Sequence, residues 1–201
     1  TLYEDFIADC EPIVEFPDTE ETAAAATCYT SGTTGNPKGV VYSHRTIYLH
    51  SLASMATNAF ALGNSDKILL LPPMFHAKAW GVPSSGWLAG ADFVLPGPNL
   101  QPEAIRRMIR GTAPTFTATV PTILNDLLRI DAKDPVDMQS FRVIVVGGSA
   151  VSEGLIAEVE RSWNVPLIQG WGMTETSPLC VLSHPAADAS DEEARRLRAK
   201  S

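Results

Sequence analysis

The residues from Tyr29 to Val40 hold the densest group of side chains capable of chemistry, in the order Y-T-S-G-T-T-G-N-P-K-G-V. Small and hydroxylated residues run from Thr30 to Gly35, and a lone lysine, Lys38, follows them. Glycines let the backbone approach a ligand closely, while successive N–H groups, hydroxyls and an ammonium form a concavity that suits anions. The segment therefore predicts a site for a polyphosphate.

Two common phosphate-binding patterns do not fit this segment. A Walker loop has glycine directly before its lysine and a hydroxyl directly after it, whereas Pro37 precedes Lys38 and Gly39 follows it. A Rossmann glycine pattern opens a helix, whereas Val40-Val41-Tyr42 resumes a strand pattern. The segment is predicted as a loop between two strands. An ordinary polar surface turn is the weaker alternative, because it does not explain glycines, hydroxyls and a lysine together.

Apolar runs alternate with helical patterns along the rest of the chain. Strands are predicted over 23–29, 40–42, 67–71, 92–95, 115–120, 142–146 and 165–169. Helices are predicted from Ser43 to about Phe60, over 79–89, from Pro102 to Gly111, and from Pro121 and Ser152 onward. This alternation predicts an α/β fold, with a largely parallel sheet that carries helices on both faces.

Three segments with chemical potential each follow directly after a predicted strand. They are Phe75-His76, Gly147-Gly148-Ser149 and the run from Trp171 to Glu175. Ligands of parallel α/β sheets lie beyond the carboxyl ends of the strands. The three segments are therefore predicted to meet at one edge of one sheet.

The composition limits the class of protein. A chain of 201 residues can form one domain with a substantial core. Its net charge of −8 argues against a nucleic-acid partner, which would need a basic face. No apolar run is long enough to cross a bilayer, and three widely separated cysteines fit reduced thiols. We expect a cytoplasmic protein without a membrane span.

The loop at 29–40 resembles the signature loop of the adenylate-forming superfamily, which includes acyl-CoA synthetases, luciferases and peptide-synthetase adenylation domains. Segments similar to further motifs of that superfamily follow in its order at 72–81, 146–151 and 169–178, reading P-P-M-F-H-A-K-A-W-G, V-G-G-S-A-V and Q-G-W-G-M-T-E-T-S-P. Segment 72–81 looks closest to medium- and long-chain fatty acyl-CoA synthetases and their thioether-acid relatives. The resemblance thus covers most of the chain.

The resemblance implies a two-step reaction. A small-molecule carboxylic acid attacks the α-phosphorus of ATP and expels pyrophosphate, and coenzyme A then displaces AMP from the acyl-adenylate. Preorganised donors and Mg²⁺ are the expected means of stabilising the charge. The metal would be held by Glu175 with Thr30, because Mg²⁺ takes hard oxygen donors, and Thr174 would contact the α-phosphate. The β- and γ-phosphates would be held by Thr30, Ser31, Gly32, Thr33, Thr34, Gly35 and Lys38.

The same resemblance implies residues for the nucleotide and the acyl group. Trp171 would stack on adenine, and small residues on the other side would leave a slot for the base. The residues on the nucleotide are His76, Gly147, Gly148, Ser149, Gln169, Gly170, Trp171, Gly172, Met173 and Thr174. The acyl side is implied to comprise His76, Trp80, Gly148 and Gly170, with Trp80 as a gate.

Two residues near Trp80, His76 and Lys78, bear on how the acid substrate is bound. His76 is expected to orient the substrate and stabilise charge, because a carboxylate has no proton to lose at neutral pH. His44, His50 and His184 show no comparable context. Lys78 stands where related synthetases often carry a neutral polar residue, which leaves the acyl chain length open.

The domain organisation is expected to be partial. Residues 1–22 form an acidic lead-in, 23–182 the nucleotide- and acyl-binding core, and 183–201 a charged tail whose residues 191–200 are predicted as a solvated helix or disorder. The superfamily's ribose-binding T-G-D aspartate and its C-terminal small domain have no counterpart. We expect a piece of a larger enzyme that is a poor catalyst alone, with the full-length enzyme's dimerisation left open.

The hypothesis is an ATP-dependent carboxylate–CoA ligase for a medium-chain fatty or short thioether acid. An amino-acid-activating adenylation domain is an alternative, although no aspartate for a substrate amine stands out near Phe75-His76. A catalytically inactive nucleotide-binding fragment is the other alternative. The coding sequence beyond Ser201 would separate that fragment from a truncated enzyme.

Overall fold

A computed structural model describes residues 2–31, 35–185 and 190–200. Its strands form a six-stranded sheet and a separate two-stranded hairpin. The helices are α1 (Tyr3–Ile7), α2 (His44–Met55), α3 (Ala77–Trp80), α4 (Val82–Ala89), α5 (Pro102–Thr112), α6 (Pro121–Asp131), α7 (Glu153–Trp163) and α8 (Asp191–Arg198). The strands are β1 (Ala24–Thr30), β2 (Lys38–Ser43), β3 (Lys67–Leu70), β4 (Asp92–Val94), β5 (Phe116–Thr119), β6 (Val143–Val146), β7 (Leu167–Gly172) and β8 (Leu179–Ser183).

The large sheet has the strand order β4-β3-β5-β6-β7-β8. Every neighbouring pair is parallel except β7 and β8, which run antiparallel. The prediction of an α/β fold with a largely parallel sheet is confirmed. None of the helices in the described ranges is long and apolar enough to cross a membrane.

The sheet is buried on both faces, as the apolar run in β6 predicts. Ile144 and Val146 pack on one face with the apolar residues of α5, α6 and α7. Val143 and Val145 pack on the other face with Phe60 and the start of α4. The predicted helices on both faces are therefore confirmed.

The two-stranded hairpin carries the glycine-rich segment between its strands. β1 and β2 pair antiparallel, and Thr30 stands opposite Lys38 at the end of the ladder. The prediction of a loop between two strands is confirmed. Gly32, Thr33 and Thr34 at its centre lie outside the described residues.

Three local predictions differ from the structure. Helix α2 is capped by Ser43 as expected, yet it ends at Met55 because Ala56 adopts an extended ψ of 149°. Strand β8 was not predicted. Of the solvated helix or disorder expected at 191–200, the helix is observed as α8, most of which is exposed; it differs in that Arg198 is buried and its Nη1 lies 2.6 Å from Oε1 of Glu160.

Candidate functional site

A cavity of about 470 Å³ opens at the carboxyl edge of the large sheet, next to the hairpin. Residues that follow β3, β6 and β7 meet in its wall, so the predicted convergence of the three segments is observed. Of the residues predicted for the site, those lining the cavity are Thr30, Ser31, Lys38, His76, Trp80, Gly147, Gly148, Gly170, Trp171, Gly172, Met173, Thr174 and Glu175.

Some predicted site residues lie elsewhere. Gly35 sits in the exposed turn of the hairpin, and Ser149 is exposed after β6; neither is part of the cavity wall. Gln169 is buried within β7 and does not reach the wall either. The backbone of β7 therefore presents the residues after Gln169 to the cavity.

The turn that carries Thr174 and Glu175 has a fixed shape. The Met173 N–H donates to the carbonyl of Pro178 at 3.0 Å, and the Thr176 N–H donates back to the carbonyl of Met173 at 3.0 Å. A Cβ at Gly172 would lie 2.3 Å from the carbonyl oxygen of Pro178, so the close approach of β7 to β8 needs glycine there. The turn buries Thr174 and leaves Glu175 exposed on the cavity wall.

The segment after His76 forms a left-handed turn. Ala77 to Trp80 all have φ between 45° and 60°, and Gly81 continues at 75°. Left-handed backbone costs roughly 1–2 kcal/mol for each residue with a Cβ, so contacts elsewhere must hold this turn. The pattern of residues 79–89 predicted a helix here and gave no sign of the reversal that precedes α4.

The indole of Trp80 covers the glycine turn after β6. A Cβ at Gly148, whose φ is +78°, would lie 3.4 Å from Cζ2 of Trp80 and 3.3 Å from Cγ1 of Val120. A side chain at Gly148 would therefore crowd Trp80 and Val120, while Gly148 itself lines the cavity. At Gly147 a Cβ would lie 2.6 Å from the carbonyl oxygen of Gly170, which explains glycine at that close crossing of β6 and β7.

Apolar residues that the motifs did not indicate complete the cavity. Phe60, Val145 and Leu179 line it along the face of the sheet. Phe60 is only 1% exposed, and its ring centroid lies 5.2 Å from that of Phe116. No sequence signal marks Phe60, because it lies in an irregular segment between α2 and β3.

His50, a residue without an assigned role in the sequence, joins α2 to the start of β8. Its Nε2 accepts a hydrogen bond from the N–H of Leu179 at 3.1 Å, and Nδ1 lies 3.4 Å from the hydroxyl of Ser54. Burial, and then the charge of Lys78, lower the pKa of His50 from 6.5 to about 4. A neutral imidazole is thus built into the wall behind Leu179.

The donors expected for Mg²⁺ fit that ion in chemical type. The carboxylate of Glu175 and the hydroxyl of Thr30 lie in the wall of the same cavity. Mg²⁺ usually takes one or two protein oxygens and completes its shell with waters and substrate phosphates. Among the residues that the structure describes, no group of three or more His, Cys, Asp or Glu could form a complete protein cage.

Comparison with known proteins identifies the family. A family profile described as AMP-binding enzyme matches residues 4–198. The chain belongs to the AMP-binding enzyme family. Within this family, a medium-chain-fatty-acid–CoA ligase of Ectopseudomonas oleovorans is 41% identical over 199 residues, 98% of this chain and 36% of the relative. A 3-methylmercaptopropionyl-CoA ligase of Ruegeria pomeroyi is 39% identical over 186 residues, 92% of this chain and 34% of the relative.

Solved structures agree with the AMP-binding fold. An anthranilate CoA ligase in complex with anthranoyl-AMP superposes with a TM-score of 0.82 at 24% identity, over 92% of this chain and 36% of that one. A long-chain-fatty-acid–CoA ligase from Archaeoglobus fulgidus superposes with a TM-score of 0.69 at 28% identity, over 80% of this chain and 33% of that one. The chain thus spans about a third of the length of the relatives it matches.

Proposed function

We propose that the protein containing this chain is an ATP-dependent acid–CoA ligase, which activates a carboxylic acid as its acyl-adenylate and transfers the acyl group to coenzyme A. One observation carries the proposal: the end of the glycine-rich hairpin, His76 and the Trp171–Glu175 segment line one cavity, which continues between apolar residues. Relatives at 41% and 39% identity named for medium-chain fatty acids and 3-methylmercaptopropionate support an apolar acid as the substrate.

In the first step, a carboxylate oxygen forms a bond to the α-phosphorus and the bond from that phosphorus to pyrophosphate breaks. The hydroxyls of Thr30 and Ser31 and the ammonium of Lys38 bind the triphosphate at the open end of the hairpin. Gly32, Thr33, Thr34 and Gly35 are proposed to add backbone and hydroxyl donors. Donors of this kind stabilise the charge that develops on the leaving group.

The other side chains orient the two reacting anions. Thr174 contacts the α-phosphate, and His76 lies beside the reacting carboxylate and orients it. Trp171, which is 46% exposed near the end of β7, offers its ring to adenine. Glu175 and Thr30 would hold Mg²⁺, which supplies positive charge to the phosphates when it is bound.

In the second step, the thiol of coenzyme A attacks the acyl carbonyl and AMP leaves.

Residues 23–182 form the nucleotide- and acyl-binding core in this proposal, with 1–22 and 183–201 as flanking segments. Cys10, Cys28 and Cys180 are all free, which supports a cytoplasmic enzyme.

Carboxylate-dependent exchange of pyrophosphate into ATP tests the proposal. The assay compares the polypeptide of the full coding sequence with the 201-residue chain, across straight-chain acids of increasing length, 3-methylmercaptopropionate and the amino acids. Exchange with the apolar acids supports the ligase, and exchange with amino acids alone would instead establish an amino-acid-activating domain. No exchange with any acid would refute adenylation.

A variant assigns the triphosphate site in the same assay. Lys38→Ala should slow exchange about tenfold or more, because one charged donor to the phosphates is lost. Lys133→Ala is the matched control, since Lys133 is exposed in the turn after α6 and does not line the cavity. Equal rates for the two variants would remove Lys38 from the site.

A further inference from the structure

Tyr42 connects two motifs that are far apart in the chain. It lies on β2, four residues after Lys38, and its side chain is 2% exposed. Its hydroxyl donates a hydrogen bond of 2.6 Å to the carbonyl oxygen of Thr174, 132 residues away. The strand that leaves the glycine-rich loop is therefore bonded directly to the turn that presents Glu175.

The ring of Tyr42 also contacts a lysine of the segment that follows His76. Nζ of Lys78 lies 4.0 Å from the centroid of the Tyr42 ring, within the range of a cation–π contact. Lys78 belongs to the left-handed turn between His76 and Trp80, and it is not among the described residues in the cavity wall. Its ammonium thus faces the hairpin and not the acyl group.

The surroundings shift the pKa of both groups. Burial, the neighbouring thiol of Cys28 and the carboxylate of Glu175 raise the pKa of Tyr42 to about 12. The phenol is therefore protonated, and able to donate its hydrogen bond, at neutral pH. Burial lowers the pKa of Lys78 from its usual value, while Cys28 opposes that shift.

We propose that Tyr42 is a positioning residue, which together with Lys78 on its ring sets the Thr174–Glu175 turn in register with His76 and the glycine-rich hairpin. The triphosphate, the reacting carboxylate and the metal site must be aligned to a fraction of an ångström for transfer. A single side chain that contacts all three segments provides this alignment. The inference deepens the proposed function and rests on it for the role of Glu175.

The primary test removes only the hydroxyl. Tyr42→Phe keeps the ring for Lys78 and leaves the buried carbonyl of Thr174 without this donor. Tyr48→Phe is the matched control, because Tyr48 is 55% exposed on α2. Both variants are made in the polypeptide of the full coding sequence and compared with the unaltered protein.

Hydrogen exchange of the backbone amides measures positioning directly and does not depend on activity. Tyr42→Phe should speed exchange about tenfold at the amides of Met173, Thr176 and Leu179, as expected when one buried hydrogen bond is lost. The amides of β5 and β6 should keep their rates, and Tyr48→Phe should change neither group. Unchanged rates at residues 173–179, or equal acceleration throughout the sheet, would overturn the proposal.

The Mg²⁺ dependence of pyrophosphate exchange gives the functional readout. Tyr42→Phe should raise the Mg²⁺ concentration for half-maximal rate several-fold and lower kcat about tenfold, while KM for the acid stays constant. A mere packing defect would lower the thermal midpoint without this split. A Tyr42→Phe variant with the Mg²⁺ dependence and kcat of Tyr48→Phe would contradict the positioning role.

A second variant tests the contact between Lys78 and the Tyr42 ring and does not depend on whether Tyr42→Phe folds. Lys78→Met retains an unbranched stem and removes the charge over the ring, so it should speed amide exchange at 173–179 about threefold relative to the unaltered protein. No change there would refute the coupling of the two turns. If the unaltered protein shows no acid-dependent exchange at all, the ligase function fails, and amide exchange alone decides the role of Tyr42.

Discussion

Acidification should destabilise this domain through His50. The imidazole is half-buried and neutral, and its Nε2 accepts the hydrogen bond from the N–H of Leu179. Its pKa is about 4 in the folded protein against an ordinary 6.5, so the unfolded chain binds the proton more readily. Stability is therefore unaffected above pH 6.5 and falls as the pH drops from 6.5 to about 4.

The size of the effect follows from the shift. At 1.36 kcal/mol for each pKa unit, the change from 6.5 to about 4 corresponds to about 3 kcal/mol. The slope in this window should approach about 1.4 kcal/mol per pH unit. Asp66 does not interfere: burial raises the pKa of its carboxyl, but hydrogen bonds from Arg142, Thr115 and Gly63 outweigh burial and hold it below 3.8. Its contribution is lost only at lower pH.

Urea unfolding at pH 7.5, 6.0, 5.0 and 4.5 measures this dependence. His50→Gln can keep an acceptor near Leu179 and does not titrate. The free energy of unfolding of this variant should therefore fall by about 2 kcal/mol less than that of the unaltered protein between pH 7.5 and 4.5. His184→Gln serves as the control, because His184 is exposed. Parallel curves for the unaltered protein and His50→Gln would refute the assignment.

Three further changes test the metal site, the acyl end and the docking of α8. Glu175→Gln should raise the Mg²⁺ requirement of pyrophosphate exchange at least tenfold while leaving acid binding intact; an unchanged Mg²⁺ dependence would remove Glu175 from the metal site. Phe60→Val should shift the exchange profile toward longer acids, by about 0.8 kcal/mol for each additional buried methylene, and an identical profile would place the acyl group elsewhere. Arg198→Met should cost about 2 kcal/mol in urea unfolding, because Glu160 and the carbonyl of Leu167 lose a charged donor. An unchanged midpoint would show that the bonds of Arg198 do not stabilise the docking of α8.

The strands of the parallel sheet could be predicted because their residues face apolar neighbours on both sides. Two strands, the run Val143–Val146 and the β-branched residues near Phe116, can be recognised from the sequence without knowing which strands they pair with. The position of the site followed from the same pattern, since parallel strands end at one edge.

The remaining features depend on contacts between distant residues. β8 was missed because Leu179–Ser183 forms a strand by pairing with β7 and has no strong pattern of its own. The left-handed turn at Ala77–Trp80 breaks the local preference of every residue in it. The roles of Tyr42 and His50 arise from hydrogen bonds to residues 132 and 129 positions away, which one sequence does not reveal.

Two kinds of residue, polar and apolar, line separate parts of the cavity wall. Its polar residues stand at the ends of strands or in the turns next to them, whereas Phe60, Val145 and Leu179 belong to the hydrophobic cluster on one face of the sheet. Exchanging side chains on that face leaves the backbone of the loops in place. Under the proposed function, new acid preferences could therefore evolve, or be engineered, by varying a few apolar positions while the residues proposed to bind ATP stay unchanged.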